Sequence, residues 1–320
     1  DGGTAVFQDG GKIETGAGLT VNGSGSFLVL KNADSSINSL IKVGAGGKGI
    51  TGIYDNTSTA DHELSLLSPN GKIELGGNGA IGIMASAVGG GHKAAITNKG
   101  NIITMGMTNP IAILAQNNRA DEVNRNRVII NNQSKISLGD RGVGIIVTAA
   151  PKTAGGNPQH GGIINLTGTG TSDISTGITG TGVYAENSDV NLITNYGIET
   201  KEEGAGIYVK GNTSSINGPG KLEYKYIGSG TGKGAGLAFG GSLAGETGTP
   251  DAKNYVDVDV VNSTNTTGGI ASVYAAGGGT LTNYGTINAS TVKGYNIIGD
   301  GRNIVNEGVL NVADSTSSLE

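Results

Sequence analysis

A short apolar phrase that recurs along the chain constrains the fold more than any other feature. One copy reads Gly-Ile-Tyr-Val at 206–209, and another reads Gly-Val-Tyr-Ala at 182–185. The aliphatic residue of the phrase returns at intervals of 24 to 38 residues, and 30 is the commonest interval. Such a repeat is typical of solenoid proteins, in which each repeat packs only against its neighbours. The predicted column of aliphatic residues contains Ile53, Ile83, Ile113, Ile145, Val183, Ile207, Leu237, Val273 and Ile297.

A second phrase precedes many copies of the first and contains an aliphatic pair, an Asn, a short turn and another aliphatic residue. Two examples contain Thr-Asn-Tyr-Gly, at 194–197 and at 282–285. Asn and Gly tolerate positive φ, so we expect this backbone conformation to form a corner there. In 253–273 the alternation from Tyr255 to Val260 replaces the corner, which predicts a distorted coil.

The two phrases divide each repeat into three short strands, separated by an Asn-Gly corner, a Gly corner and a loop of variable length. Short strands that are rich in β-branched residues and bounded by Gly or Asn predict an all-β fold, specifically a right-handed parallel β-helix with three-strand coils of roughly 30 residues. The 60 glycines among 320 residues disfavour helices, because Gly costs up to about 1 kcal/mol in a helix interior. We predict irregular N-terminal coils over 1–50 and a regular β-helix over 51–318. We interpret 319–320 as a possible cloning scar and the chain as an excised segment of a longer protein.

Composition excludes several classes of function. The net charge is -5 and no long basic run is present, so we expect no nucleic-acid binding. The absence of Cys removes disulfide frameworks and thiolate chemistry. The three histidines, His62, His92 and His160, fall in separate coils without carboxylates at metal-ligand spacing, so we expect no metal and no cofactor.

The long loops are the first candidates for recognition. Three of them, at about 116–127, 150–162 and 240–254, are predicted to leave the same corner of the coil and to emerge on one side. Asn and Arg in the first loop suit contact with an acidic partner or a glycan, whereas the alternative is a set of neutral, solvated insertions. The candidate binding residues are Arg119, Asp121, Arg125, Arg127, Lys152 and His160.

Other residues are candidates for catalysis or for stacking against sugars. Asp257 and Asp259 share a strand face and are the best pair of carboxylates, but outward polar positions of an alternating strand explain them equally simply. No acid recurs beside them one coil away together with a base, so we expect no enzymatic activity. A stripe of tyrosines could stack sugars or could merely cover the backbone of the sheet. Its predicted members are Tyr54, Tyr184, Tyr208 and Tyr274.

The two phrases together resemble the passenger domains of type V autotransporters, most closely the very large fusobacterial outer-membrane adhesins. Passengers of that group repeat phrases such as Thr-Asn-Tyr-Gly-Thr-Ile and Gly-Ala-Gly-Ile-Tyr-Val, which stand here at 282–287 and 204–209. The resemblance covers about residues 50–312. It implies a location on the bacterial cell surface, with membrane anchorage only through a C-terminal barrel outside this segment.

The resemblance also implies partners, namely a surface protein of a partner bacterium, a host receptor or a glycan. We therefore expect a monomeric segment of a cell-surface adhesin that serves as stalk and presenting surface. Two alternatives remain open: a polysaccharide-degrading β-helix enzyme or tailspike, and a purely structural spacer.

Overall fold

The computed structural model is an all-β chain whose strands stack coil upon coil. For residues 5–8, 12–15 and 20–23 it describes the backbone alone, and the same holds for Gly294 and Tyr295. The other described residues are 28–55, 58, 60–87, 92–104, 106–118, 128–149, 160–228, 234–246, 248–261, 270–289 and 296–311.

The described residues form 33 strands and no helix. The strands of the first four coils are β1 Ala5–Gln8, β2 Lys12–Thr15, β3 Thr20–Gly23, β4 Leu28–Lys31, β5 Asp34–Ile37, β6 Leu40–Val43, β7 Lys48–Tyr54, β8 His62–Leu66, β9 Lys72–Leu75, β10 Ile81–Ala87, β11 Ala94–Asn98 and β12 Asn101–Thr104. The next four coils contain β13 Ile111–Asn117, β14 Val128–Asn132, β15 Ile136–Ser137, β16 Val143–Ala149, β17 Ile163–Leu166, β18 Ile174–Ser175, β19 Thr181–Glu186, β20 Asp189–Leu192, β21 Tyr196–Lys201, β22 Ala205–Lys210, β23 Thr213–Asn217 and β24 Leu222–Ile227. The last three contain β25 Gly234–Phe239, β26 Asp251–Asn254, β27 Val258–Val260, β28 Ile270–Ala276, β29 Thr280–Asn283, β30 Ile287–Asn288, β31 Gly294–Asp300, β32 Asn303–Asn306 and β33 Leu310–Asn311.

Every third strand belongs to the same sheet, so the chain forms three parallel sheets of eleven described strands each. The first sheet runs from β1 to β31, the second from β2 to β32 and the third from β3 to β33. Parallel strands joined by crossovers adopt the right-handed sense, and the predicted right-handed parallel β-helix is confirmed. Because neighbouring strands lie about 4.8 Å apart, eleven coils give a rod about 50 Å long.

The buried aliphatic column of the first sheet is confirmed from Ile83 to Ile297, but its predicted first member is wrong. Ile50, and not Ile53, pairs with Ile83, and Ile53 is 38% exposed. The reason is Tyr54, whose ring turns inward over Gly52, where a Cβ would lie 2.4 Å from the phenol oxygen. Each fully buried aliphatic side chain of the column stabilises the fold by about 1.5–3 kcal/mol.

Buried asparagines end several strands of the second sheet at the corner that leads to the third. Asn98 Nδ2 donates to Asn132 Oδ1 at 2.7 Å. Asn132 Nδ2 in turn donates to the carbonyl of Ser134 at 3.0 Å and to the hydroxyl of Tyr196 at 2.6 Å. The bond to the carbonyl two residues ahead recurs at Asn254, Asn283 and Asn306. The asparagines are therefore selected because their amides satisfy the carbonyls of the corner.

The expected positive φ is found at Gly218, in the variant corner that follows Asn217, but it is wrong for the Thr-Asn-Tyr-Gly corners. Positive φ occurs at other places, such as Gly277–Gly279, but neither Asn283 nor Gly285 adopts it. Gly285 is required for a different reason, since a Cβ there would lie 2.0 Å from the carbonyl oxygen of Val256 in the coil below. The Asn therefore supplies an amide, and the Gly permits close approach between coils.

The apparent absence of an Asn corner at 253–273 predicts a distorted coil, but the Asn corner is present. Asn254 occupies the corner, is fully buried and donates to Asn283 Oδ1 at 2.7 Å. The sequence hides it because Val256 stands where most other corners have Gly. The predicted loop at 240–254 is also too long, because β26 begins at Asp251 and pairs with β23.

Candidate functional site

Alternation along the strands brings the outward side chains of each sheet into columns that run along the rod. In the first sheet, the outward column beside the buried one contains no charged residue over eight consecutive described coils. Its members are Met84, Leu114, Ile146, Tyr184, Tyr208, Ala238, Tyr274 and Ile298. A second column three residues earlier contains Ile81, Ile111, Val143, Thr181, Ala205, Ala235 and Ala271. The two columns form a continuous, largely apolar outer face of the kind that marks interaction sites.

The outer face of the second sheet contains a polar column that pairs with itself, beside an outward column that is apolar at Ala95, Ile129 and Ile163. Asn165 Nδ2 donates to Asn131 Oδ1 at 2.8 Å, and Asn191 Nδ2 donates to Asn165 Oδ1 at 2.9 Å. The amide groups of successive coils therefore form a ladder in which each oxygen meets the next nitrogen.

The third sheet covers its outer face with ion pairs between coils. Lys221 Nζ lies 2.7 Å from Asp259 Oδ2, and Lys225 Nζ lies 2.9 Å from Glu199 Oε2. The hydrogen bond from Lys221 to the Asp259 carboxylate raises the pKa of the lysine. The polar columns of the second and third sheets thus satisfy many of their hydrogen bonds between coils, whereas the two outward columns of the first sheet are largely apolar.

A groove opens in the outer face of the first sheet where Ala238 interrupts the tyrosines. Tyr208 pairs with Ala238, and Ala238 pairs with Tyr274, so the two tyrosines stand two strand spacings apart, about 10 Å. The cavity at this position has a volume of about 660 Å³. We call it the alanine groove, with Ala205, Ala235, Ala238 and Ala271 as its floor and Tyr208 and Tyr274 as its walls.

The walls of the alanine groove are held in place by neighbours. Tyr208 leans over Gly240, where a Cβ would lie 2.7 Å from the phenol oxygen. The hydroxyl of Tyr274 donates to Asp300 Oδ2 at 3.0 Å. Burial raises the pKa of both phenols, and the carboxylate that accepts the bond from Tyr274 raises the pKa of that residue further.

Next to the groove, two tyrosines of the same column touch each other. The rings of Tyr184 and Tyr208 meet edge to face with centroids 5.4 Å apart, a favoured geometry for aromatic pairs. The hydroxyl of Tyr184 donates to Glu186 Oε1 at 2.8 Å. The carboxylates of Glu186 and Asp300, together with Glu203 at the groove lining, give this region an acidic rim.

Sequence reasoning identified the tyrosine stripe in part. Tyr184, Tyr208 and Tyr274 share one outward column, but Tyr54 points inward and is 2% exposed. The alanine groove itself was missed. Its signal is visible when Gly-Ala-Gly-Ile-Tyr-Val at 204–209 is aligned with Gly-Ala-Gly-Leu-Ala-Phe at 234–239, because Ala replaces Tyr in the second copy.

Most of the predicted loop residues lie outside the described residues. These are Arg119, Asp121, Arg125, Arg127 and Lys152. His160 is described, and its backbone carbonyl accepts a hydrogen bond from Asn117 Nδ2 at 2.6 Å. The flanking strands show that the long loops leave the ends of first-sheet strands, as at β13 to β14 and β16 to β17.

Asp257 and Asp259 are both engaged in contacts between coils. Asp257 Oδ1 accepts a hydrogen bond from the backbone amide of Thr286 at 2.6 Å. Asp259 pairs with Lys221 and also accepts a bond from Asn288. Both carboxylates therefore link neighbouring coils.

One buried histidine near the start of the rod, His62, makes contacts that the sequence did not predict. His62 is buried, and its Nδ1 lies 3.0 Å from Asp34 Oδ1. Its ring stacks on Tyr54 with centroids 5.0 Å apart. Within the described ranges, no group of three or more His, Asp or Glu side chains could hold a metal ion. None of the described residues forms a helix that could span a bilayer.

Comparisons of the chain with protein-family models, with curated proteins and with solved structures returned no significant match.

Proposed function

We propose that this chain is a segment of a bacterial cell-surface adhesin, in which the β-helix serves as both stalk and presenting surface. The observation that carries the proposal is the contrast between the outer faces. The second and third sheets pair their outward polar groups between coils, whereas the first sheet presents an apolar face with a groove. A rod with one such face is suited to hold a partner at a fixed orientation away from the cell.

The stack of coils supports the mechanical part of this role. Each described coil hydrogen-bonds to its neighbours in all three sheets, and aliphatic side chains fill the interior. Because each coil rests on the next, the length of the rod scales with the number of coils and its faces keep one direction. The strands that precede the predicted loops at 116–127 and 150–162, β13 and β16, belong to the first sheet, so the proposal assigns these loops to the same presenting side.

A polysaccharide-degrading enzyme is the weaker candidate. Such chemistry needs two carboxylates free to act as acid and base or nucleophile. Asp257 and Asp259 are bound by Thr286 and Lys221. A purely structural spacer explains the stack but gives no reason for the apolar face of the first sheet.

Bead adhesion tests the proposed function. Beads coated with the purified chain are expected to adhere to partner bacteria or to host cells above the level of albumin-coated beads. Variants lacking 119–127 or 151–159, with unchanged circular dichroism, separate binding by the loops from binding by the face. Absence of adhesion to every cell type would favour the spacer. Turnover of a glycan panel that is lost in Asp259→Asn would favour the enzyme.

A further inference from the structure

We propose that the alanine groove is a socket for one aromatic side chain of a partner protein, carried on a segment with basic residues beside it. This inference rests on the proposed adhesive function and names the chemistry of its ligand. The register provides the first argument. Ala238 occupies the position between Tyr208 and Tyr274 where a third aromatic ring would continue the column.

The spacing of the walls fits an inserted ring. Tyr208 and Tyr274 are separated by two strand spacings, so a ring placed midway is about 5 Å from each. Aromatic rings stack or meet edge to face at centroid distances of about 4.5–7 Å. The neighbouring pair Tyr184 and Tyr208 shows the same contact at 5.4 Å within the chain. A partner's ring would therefore restore the ladder that Ala238 interrupts.

The lining favours an aromatic side chain over a sugar. The floor consists of alanine methyl groups, and Ala235, Ala238 and Ala271 are at most 8% exposed. The hydroxyl of one wall residue, Tyr274, is already bound to Asp300. A sugar that buried its hydroxyl groups here would leave several of them without partners, which is costly. An aromatic ring has no such requirement.

The charges around the groove indicate which residues of the partner should flank the inserted ring. Among the described residues, three carboxylates lie around the groove, those of Glu186, Glu203 and Asp300. The cations near them are Lys210, which pairs in register with Glu186, and Arg302, whose buried guanidinium donates to the carbonyl of Gly240. Opposite charges across an interface speed encounter and fix orientation. Lysine or arginine next to the inserted ring would complement this rim.

The test uses the peptide N-acetyl-Lys-Trp-Lys-amide as the probe. The chain contains no Trp, so the indole fluorescence reports on the peptide alone. Binding is expected to shift the emission to the blue. Ala238→Tyr fills the gap with the residue that its column already contains, and it is expected to weaken binding by about tenfold or more. Tyr274→Ser, which removes one wall at the surface, is expected to weaken it by a similar factor.

Matched controls distinguish binding in the groove from nonspecific binding of the peptide. Ser137→Tyr adds the same ring on the outer face of the third sheet and is expected to leave the affinity unchanged. N-acetyl-Lys-Leu-Lys-amide is expected to compete about tenfold less well than the tryptophan peptide. N-acetyl-Asp-Trp-Asp-amide is expected to bind several-fold more weakly, and the difference shrinks in high salt.

The proposal is wrong if the wild-type chain leaves the indole emission unchanged, or if Ala238→Tyr and Tyr274→Ser, both folded by circular dichroism, bind as the wild type does. It is also wrong if neutral oligosaccharides displace the peptide or bind in its place, because the occupant is then a glycan. Bead adhesion by the wild type that persists in Ala238→Tyr would reject the socket and keep the adhesive function. Peptide binding without any cell adhesion would reject the function and keep the socket.

Discussion

The first and second sheets extend over the same coils, yet their outer faces follow opposite rules. On the second sheet, Asn131, Asn165 and Asn191 bind one another through their amides. On the first sheet, the equivalent column contains residues such as Ile146, Tyr184 and Ala238. These side chains have no amide group and form no such ladder between coils. Both columns stabilise strand pairing, but only the first leaves apolar surface for another molecule.

This contrast teaches where stability and recognition reside in the rod. Residues of the second sheet are bound within the chain, so changing them should reduce stability. Residues on the outer face of the first sheet make fewer contacts within the chain, so changing them should affect binding more than stability. The predictions below test this division.

The largest effect is expected at the inward asparagines of the second sheet. Asn132→Ala leaves the buried hydroxyl of Tyr196, the amide of Asn98 and the carbonyl of Ser134 without this partner. Each unsatisfied buried group costs about 1–3 kcal/mol, so the free energy of unfolding should fall by roughly 3 kcal/mol or more. Urea denaturation measures this change.

A paired variant checks the cause of that loss. Leu166 occupies the position of Asn132 in the next coil, so Asn132→Leu combined with Tyr196→Phe keeps an aliphatic ladder and removes the orphaned hydroxyl. This double variant should be clearly more stable than Asn132→Ala. Equal losses in the two would mean that the hydrogen bonds of Asn132 are not responsible.

A smaller loss is expected on the outward asparagine ladder. Asn165→Ala removes two hydrogen bonds between coils and should cost about 1–2 kcal/mol. The matched change on the first sheet is Ile146→Thr, which retains a β-branched side chain and should stay within about 0.5 kcal/mol of the wild type. Urea midpoints that fall equally for both variants would contradict the proposed division between the sheets.

The apolar character of the first sheet can be measured with a hydrophobic dye. Ile111→Lys combined with Ile146→Lys should roughly halve the fluorescence of bound anilinonaphthalene sulfonate, because it interrupts the apolar face. Asn165→Lys on the second sheet serves as the control and should leave the dye signal unchanged. Dye binding that is insensitive to the first pair would place the apolar surface elsewhere.

The smallest effect concerns the ion pairs of the third sheet. The hydrogen bond from Lys72, with a further contribution from Lys42, lowers the pKa of Glu74. A carboxyl whose pKa is lower in the folded state stabilises the fold above its unfolded pKa of about 4.3, and this stabilisation is lost as the pH falls through the folded value. The contribution should be below about 1 kcal/mol. Glu74→Gln should remove this contribution. The free energy of unfolding of the variant should therefore fall less than that of the wild type between pH 5 and roughly pH 2.

The repeat and the strand alternation made the fold predictable from the sequence. Aliphatic residues at a constant interval must stack, and three apolar segments per interval require three sheets. The failure at Ile53 arose because Gly49-Ile50 and Gly52-Ile53 offer two equivalent phrases three residues apart. Only the inward ring of Tyr54 distinguishes them, and the direction of one ring cannot be derived from a local pattern.

The two Thr-Asn-Tyr-Gly phrases show how one residue changes the outcome. In the phrase at 194–197, Tyr196 is fully buried and its Asn neighbour is exposed. In the phrase at 282–285, the Asn is fully buried and Tyr284 is 41% exposed. The next inward isoleucine follows the Gly directly in the first phrase, whereas Thr286 intervenes in the second. Because side chains alternate with a period of two, this single residue reverses which side chain points inward.

The groove was harder to predict than the fold for a related reason. An Ala in place of a Tyr does not by itself mark a site. It becomes a site only when the register places Ala238 between Tyr208 and Tyr274, and when Ala235 and Ala271 lower the floor beside it. The residues that face one another in the groove are 30 to 36 positions apart in the sequence. Their alignment cannot be derived from a fixed interval, because the loops between them differ in length.

Masking one outer face at a time tests the central claim most directly. The chain contains no Cys, so a single cysteine can be introduced on each sheet and labelled with the same bulky maleimide. Suitable positions are Ala238→Cys on the first sheet, Thr282→Cys on the second and Ser137→Cys on the third. Adhesion of coated beads to partner cells should be lost when the first sheet is labelled and retained when either of the others is labelled. Adhesion that survives the label at position 238, or that is lost equally from all three faces, would contradict the assignment of recognition to the first sheet.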